Sequence, residues 1–368
     1  MKLWLDLETY SETPITHGTH AYAARAEVML FAWAIDDGPV SVWDCTLNRK
    51  DVVRVPVDLL DALDDPEVEL WAHNSHFDRT VLRHAPPCRA APPAARDVER
   101  WRDTMVQALS HGLPGSLDAL CTVLKVPTDQ AKDKAGRQLI QLFCKPRPVT
   151  SKVRRATRET HPAEWARFVE YAALDIDAMR AVHQRLPLWN YRGAELALWH
   201  LDQRINDRGV AIDLPLVLGA IEAVDAEQRS LARQTREMTA GRVESTTQRD
   251  VLLAHVLEEY GVDLPDLRMS TLERRIADPD LPQELRELLA IRLQASTTST
   301  SKYRTLQRGT SADGRLRGTL QFNGASRTGR WAGRLFQPQN IARGTVEREL
   351  LEIGIEALKA GCADLICR

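Results

Sequence analysis

The opening of the chain alternates between apolar and polar residues, a pattern that fits a β-strand and no helix. Leucines recur at every second position of residues 2–9, so they share one face of an extended segment. A second apolar run covers residues 28–35, and an Asp-Asp-Gly-Pro turn signal follows it at 36–39. Residues 40–43 then predict the returning strand of a hairpin.

Helical spacing becomes more frequent after this hairpin. A short strand at 69–72 precedes a predicted helix at 74–83, and residues 162–186 predict a long helix that Pro187 ends. Because strands come first and helices follow, we expect a mixed α/β domain that ends near residue 190. Beyond it, apolar spacing predicts helices and no strand, and glycine-rich loops with short strands begin at residue 314. The predicted helices cover residues 194–207, 216–238, 248–260 and 285–294.

Length and composition indicate an ordinary globular protein of more than one domain. With 368 residues the chain favours two or three domains, and 43% hydrophobic with 27% charged residues excludes a disordered chain. The six cysteines include no C-x-x-C pair, so neither a zinc cluster nor a disulfide framework is indicated. No signal peptide and no apolar run of about 18 residues is found, so we expect a cytoplasmic protein.

The net charge of −2 does not indicate a nucleic-acid partner, but the basic residues are clustered. Residues 145–158 contain six basic residues and no acidic one, and residues 292–308 contain four and none. Residues 311–345 contain six arginines and the single acid Asp313. One such cluster is usually a solvated face, whereas three in one chain favour binding to a polyanion.

Carboxylates occur at three positions where the predicted elements can bring them together. Asp6 and Glu8 point to the same side of the first strand, and Asp78 lies in the first helical turn after the strand at 69–72. Tyr171 and Asp175 are four residues apart, on one helix face. Taken singly, these patterns are more typical of a solvated strand, a helix N-terminus and an exposed helix surface than of a catalytic site.

Taken together, the three motifs resemble the DEDD exonucleases of the tyrosine subclass, specifically the proofreading domain of polymerase I-like enzymes. The resemblance covers about residues 1–190 and implies an RNase H-like fold. It implies that two Mg²⁺ or Mn²⁺ ions bind to four carboxylates, those of Asp6, Glu8, Asp78 and Asp175. Such ions would activate water and stabilise the leaving 3′-oxygen. The resemblance assigns orientation of the water to Tyr171 and positioning of the DNA strand to Asn74.

Later motifs resemble the thumb and the beginning of the palm of phage-type family A DNA polymerases. Residues 201–213 resemble the entry into the thumb, and residues 299–304 resemble a thumb segment in which Lys302 and Arg304 contact phosphates. Residues 322–331 and 337–340 resemble the motif that opens the palm. This motif implies DNA contacts, partly in the minor groove, by Arg327, Arg330, Gln339 and Asn340.

The resemblance implies three regions: an exonuclease domain at 1–190, a mainly α-helical thumb or connection at 191–310, and an incomplete N-terminal part of the palm at 311–368. The catalytic motifs of a polymerase palm and fingers do not follow in the sequence. We therefore expect that DNA synthesis requires these motifs on another chain, and that this chain does not polymerise DNA alone.

These observations predict the proofreading exonuclease part of a DNA-directed DNA polymerase that acts in DNA replication. The expected partner is DNA, either a single-stranded primer 3′ end or a primer–template, in the bacterial cytoplasm of a phage or prophage host. Two alternatives remain open. One is an inactive polymerase remnant that binds DNA. The other is a 3′ RNA-trimming exonuclease of the RNase D type, which shares the carboxylate motifs but does not explain residues 327–340.

Overall fold

The computed structural model divides the chain into two compact units, each built from two separate segments. The described residues are 1–47, 55–127, 136–245, 247–296, 300–340, 344 and 346–362. The first unit combines Met1–Ala211 with Arg308–Ile341, and the second combines Ile212–Gln307 with Ala342–Arg368. The partition into exonuclease, thumb and palm regions stays a prediction.

A mixed five-stranded sheet forms the centre of the first unit. Its strands are β1 (Lys2–Tyr10), β2 (Glu27–Ile35), β3 (Ser41–Asp44), β4 (Glu69–Ala72) and β5 (Trp101–Asp103). They lie in the order β3-β2-β1-β4-β5. Strand β2 is antiparallel to β1 and β3, whereas β4 is parallel to β1 and β5. The predicted hairpin, the strand at 69–72 and the RNase H-like mixed sheet are thereby confirmed.

Among the described residues, nine α-helices of the first unit precede its return segment. They are α1 (Thr19–Ala23), α2 (Val57–Asp64), α3 (Ser75–His84), α4 (Ala91–Arg96), α5 (Thr104–Leu109), α6 (Leu117–Val123), α7 (Gly136–Phe143), α8 (Pro162–Arg185) and α9 (Ala194–Arg208). Helix α8 packs against β1, β2 and β3, and its Phe168 stacks on Phe143 of α7. Both faces of β1 are buried, since Trp4 and Leu5 point to opposite sides of the strand and are each less than 5% exposed.

The return segment of the first unit adds two small antiparallel sheets. Strand β6 (Val210–Ala211) pairs with β7 (Arg315–Leu316), and β8 (Leu320–Ala325) pairs with β9 (Arg330–Gly333). The expectation of no strand between residues 190 and 310 is therefore wrong at β6. A two-residue strand has no periodicity to detect, and its partner lies about a hundred residues away in the sequence.

The second unit is helical. Its helices are α10 (Leu214–Met238), α11 (Arg249–Tyr260), α12 (Met269–Ile276), α13 (Gln283–Ala295), α14 (Thr300–Gly309, whose last residues belong to the first unit) and α15 (Arg348–Lys359). The helices predicted at 194–207, 216–238, 248–260 and 285–294 are confirmed within three residues, whereas α12 was not predicted. Of the thumb-like motif 299–304, Ser299 lies outside the described residues, as do residues 297–298 before it.

A leucine-rich cluster from α11, α12 and α13 forms the core of the second unit. Helix α10 also packs against α15, and the two backbones approach closely at Gly219. A Cβ atom added to Gly219 would lie 2.0 Å from the carbonyl oxygen of Leu358. The absence of a side chain at this position therefore permits the packing of α10 on α15.

Within the described ranges, no helix has both the length and the apolar character needed to cross a membrane.

Candidate functional site

Three carboxylates from two elements of the first unit converge at one point. Oxygen atoms of Asp6, Glu8 and Asp175 all lie within 4.8 Å of one another. Glu8 and Asp175 are 7% and 4% exposed, so water screens the repulsion among these charges poorly. A buried cluster of this kind is costly unless protons or cations compensate the negative charge.

The local structure explains this convergence. Asp6 and Glu8 are two residues apart on β1 and therefore point to the same side of the sheet. The pairing of β1 with β2 shifts register between Glu8 and Thr9, an irregularity that re-aims the side chains next to it. Asp175 reaches the same position because α8 packs directly on β1 and β2.

Asp78 lies beside this cluster but is not one of the three converging carboxylates. It occupies the first turn of α3, which follows β4, the parallel neighbour of β1. Burial and the charge of Asp6 raise the pKa of the Asp78 carboxyl, while a hydrogen bond with the backbone of Leu7 opposes that rise. Asp78 thus contacts the strand at the residue that separates Asp6 from Glu8.

The donor set fits a small, hard divalent cation. Mg²⁺ binds oxygen ligands at about 2.1 Å, so two oxygens on one ion are at most about 4.2 Å apart. The three carboxylates come within 4.8 Å of one another and need only a small adjustment to share an ion. All the donors are carboxylate oxygens, which favours Mg²⁺ or Mn²⁺ over softer metals.

Tyr171 lies one helical turn before Asp175 on α8 and is 3% exposed. Its ring packs against the backbone of Gly136, the first residue of α7. A Cβ atom added to Gly136 would lie only 2.0 Å from Cε2 of the Tyr171 ring. Gly136 therefore allows the phenol to occupy its position on the side of α8 that carries Asp175.

A cavity of about 650 Å³ opens beside the carboxylates, and its lining includes Asp6, Asp175 and Asn74. Asn74 begins α3 in the left-handed conformation, with φ of 64°, which asparagine tolerates better than most residues. The side chain of Asp103 accepts hydrogen bonds from the backbone amides of Asn74 and Ser75, at 2.9 and 2.8 Å. Asp103 also caps α5, so its role is structural.

Helix α9 lines another wall of this cavity with a buried polar network. Asp202 accepts hydrogen bonds from the side-chain amides of Gln203 and Asn206, and burial raises its pKa to about 7. Asn206 also pairs with both backbone groups of Leu320, at 3.0 Å each. Its side chain thereby fixes β8 of the return segment to α9.

The residues predicted to bind DNA are divided between the two units. Lys302 and Arg304 lie on α14 in the second unit, where Arg304 pairs with Asp225 at 2.5 Å. The others lie in the first unit: Arg327 in the β8–β9 turn, Arg330 on β9, and Gln339 and Asn340 in a 3-10 turn, all with exposed side chains. These contacts with DNA stay predictions.

The third basic cluster, residues 311–345, contains arginines with structural roles. Arg315 donates to the backbone carbonyls of Arg208 and Gly209, and Arg317 pairs with Asp313 at 2.6 Å. Arg343 lies outside the described residues. Fewer arginines of the third cluster are therefore available to a polyanion than its net charge suggests.

Sequence reasoning missed several residues that shape the site. Gly136 carries no motif, and the motif at 201–213 that contains Asn206 does not indicate its contact with Leu320. The thiol of Cys144 lies 3.5 Å from Oε2 of Glu8, although nothing near Cys144 in the sequence indicates a contact with β1. Such contacts depend on the tertiary fold alone.

Comparison with known proteins gives matches in sequence and in structure. The chain is 36% identical over 366 residues to a DNA polymerase of Bacillus phage SP02, which covers 98% of this chain and 54% of that polymerase. The chain thus spans about half the length of the curated relative it matches. No protein-family model matches the chain.

The structural match is to the polymerase domain of Pol1 from M. smegmatis, solved in complex with a DNA primer-template and dNTP. The TM-score is 0.54 at 16% sequence identity, and the match covers 94% of this chain and 53% of that one. At this identity it supports the fold alone. With the sequence match, it confirms the resemblance to phage-type family A DNA polymerases.

Proposed function

We propose that this homologue of a phage DNA polymerase carries, in its first unit, a metal-dependent 3′→5′ exonuclease that removes nucleotides from DNA ends during replication. The observation that carries the proposal is the buried convergence of Asp6, Glu8 and Asp175. A structural role explains this convergence poorly, since three carboxylates within 4.8 Å repel one another. The kinship with a DNA polymerase favours DNA over RNA as the substrate.

The residues of the cluster have distinct roles in this proposal. Asp6, Glu8 and Asp175 hold divalent cations, and Asp78 completes the set once its carboxyl loses its proton. Bound cations would activate a water molecule and offset the charge that develops on the leaving 3′-oxygen. The hydroxyl of Tyr171 orients that water and does not bind the metal, because phenols are poor ligands for Mg²⁺.

The cavity beside the carboxylates supplies room for the substrate. Its volume of about 650 Å³ lies within the range of about 300–1,000 Å³ typical of small-ligand pockets. A terminal nucleotide in this cavity would have its phosphodiester at Asp6 and Asp175, with Asn74 also in the lining. Asn74 then contacts the strand through an amide that the left-handed backbone holds in place.

Degradation of single-stranded DNA with a label at its 5′ end tests the proposal. Mn²⁺ should produce a ladder of progressively shorter labelled fragments, and EDTA should stop it. Asp175→Asn keeps the side-chain volume but removes a ligand, and should lower the rate at least about 100-fold. Asp177→Asn is the matched control, because Asp177 lies on the same helix but pairs with Arg180 outside the cluster.

Other outcomes separate the alternative functions. Tight DNA binding by the wild-type protein, without any cleavage in Mg²⁺ or Mn²⁺, would favour a DNA-binding module. Faster degradation of an RNA strand of the same sequence would favour an RNase D-type activity. Equal rates for Asp175→Asn and Asp177→Asn would contradict the assignment of the site.

Proofreading within a polymerase is the biological context that we propose for this activity. The sequence relative is a DNA polymerase, and the structural relative was solved with a primer-template. We therefore propose DNA as the partner and the bacterial cytoplasm as the location. A second chain with palm and fingers stays a prediction that neither match supports.

A further inference from the structure

A basic loop, defined here as residues 144–155, forms the first part of the connection from α7 to α8 and contacts β1 at both ends. At its start, the thiol of Cys144 lies 3.5 Å from a carboxylate oxygen of Glu8. At its end, the guanidinium carbon of Arg155 lies 4.1 Å from the centre of the Tyr10 ring. The basic loop therefore lies beside the strand that carries two of the three converging carboxylates.

The basic loop has a defined shape. The backbone amide of Arg147 donates to the carbonyl of Arg154 at 2.8 Å, which closes the loop on itself. A tighter turn lies within it, where the amide of Ser151 donates to the carbonyl of Pro148 at 2.9 Å. Its side chains are thus presented by an ordered turn rather than by an extended linker.

The cations of this region fall into two groups. Arg155 pairs with Glu27, and Arg158, just after the loop, pairs with Asp44. Among the described residues, no ion pair involves the four other basic side chains, and three of these four are exposed. The four are Lys145, Arg147, Lys152 and Arg154. Positive charge that the protein itself does not neutralise is available to an anionic ligand.

The basic loop also exposes aliphatic side chains. Val149, inside the tight turn, is 81% exposed, and Val153 is 45% exposed. Hydration of a charged loop does not explain these exposed aliphatic side chains. A nucleic acid does, because its sugars and unpaired bases offer apolar surface beside each phosphate. In a duplex the faces of the bases are stacked on one another, so this combination favours a single strand.

We propose that the basic loop binds the sugar–phosphate backbone of single-stranded DNA and guides its 3′ end to the carboxylate cluster. The statement that the loop guides the 3′ end to the carboxylates rests on the proposed exonuclease function. The statement that the loop binds single-stranded DNA does not. The carboxylates repel phosphates, and the cations of the neighbouring loop offset that repulsion. Contacts of this kind carry no sequence preference.

Binding of oligothymidylate in EDTA, where no cleavage occurs, tests the loop separately from catalysis. The loop variant is Lys145→Gln/Lys152→Gln/Arg154→Gln. The matched control is Arg89→Gln/Arg96→Gln/Arg192→Gln, which removes the same charge from exposed positions elsewhere in the first unit. Each lost phosphate contact should reduce the slope of log Kd against log salt by about 0.7, so the loop variant should lose about 2.

The same relation predicts Kd weaker by roughly 100-fold at about 0.1 M salt, converging with wild type near about 1 M. The matched control should change much less. The single variant Lys152→Gln should lower the slope by about 0.7, which tests the loop even if the triple variant folds poorly. Circular dichroism establishes folding for each protein.

Hydrolysis of a thymidine 5′-aryl phosphate with Mn²⁺ reports on the carboxylates without reaching the loop. Unchanged hydrolysis of this ester by the loop variant, with weakened oligothymidylate binding, supports the inference. Absence of hydrolysis in the wild type would count against the exonuclease, while the binding slopes would still decide the role of the loop. Equal slopes of log Kd against log salt for the loop variant and the matched control would overturn the inference. So would a loop variant that binds duplex DNA more weakly but binds oligothymidylate as the wild type does.

Discussion

Gly136→Ala should slow cleavage by moving Tyr171 without touching any carboxylate. The new Cβ would lie 2.0 Å from Cε2 of Tyr171, whereas ordinary contacts begin near 3.4 Å. The ring or the first turn of α7 must therefore move by about 1.4 Å. A misplacement of about 1 Å in a catalytic group can cost about 100-fold in rate, or about 2.7 kcal/mol in the barrier.

Single-turnover cleavage of single-stranded DNA measures this effect, and a Mn²⁺ titration measures metal affinity in the same variant. We expect the rate constant to fall about 100-fold while the affinity for Mn²⁺ stays unchanged. The variant Tyr171→Phe, which removes the hydroxyl itself, should show the same combination. Gly354→Ala is the control, because a Cβ there meets no atom within 4 Å. It should instead stabilise α15 by roughly 0.5–1 kcal/mol. A wild-type rate constant for Gly136→Ala would refute the role given to Tyr171.

Three further outcomes follow from the buried polar groups. Mn²⁺ at about 100 times its Kd should increase the free energy of unfolding by about 2.7 kcal/mol, an increase that Asp177→Asn keeps and Asp175→Asn loses in thermal scans. The pKa of Asp202 is raised from 3.8 to about 7. Between pH 3.8 and about 7 the Asp202 carboxyl is protonated in the folded state but ionised in the unfolded state. The free energy of unfolding should therefore decrease as the pH rises through about 7, in total by up to about 4 kcal/mol. Urea unfolding at several pH values should show a flatter profile for Asp202→Asn. Asp103→Ala leaves four backbone amides without their acceptor and should cost about 3 kcal/mol or more in urea unfolding, whereas Asp103→Asn should cost less.

The sequence was sufficient where a repeating pattern determines the structure. Alternating leucines predicted β1, and apolar residues at helical spacing predicted α8. Because β1 and α8 pack together, the motifs on them brought Asp6, Glu8 and Asp175 to one point. Neighbouring carboxylates on two regular elements are thus predictable once the fold is recognised.

Contacts between residues distant in the sequence were not predictable. The pairing of β6 with β7 and the bonds of Asn206 to Leu320 join segments more than 100 residues apart, without any local signal. Arg304 was predicted to contact a phosphate, yet it pairs with Asp225 of α10. A charged residue in a motif can have either partner, and only the folded chain determines which one it meets.

The interleaving of the two units affects how the chain folds during synthesis. The first unit needs Arg308–Ile341, which follows its first segment only after about 100 residues of the second unit. At about 5–20 residues per second, a ribosome takes roughly 5–20 s to translate that stretch. Throughout this interval the nascent sheet lacks Phe322, which is 4% exposed in the finished core, and Asn206 lacks its backbone partner. During this interval the apolar surface that Phe322 later covers is exposed, and exposed apolar surface of this kind is what chaperones bind.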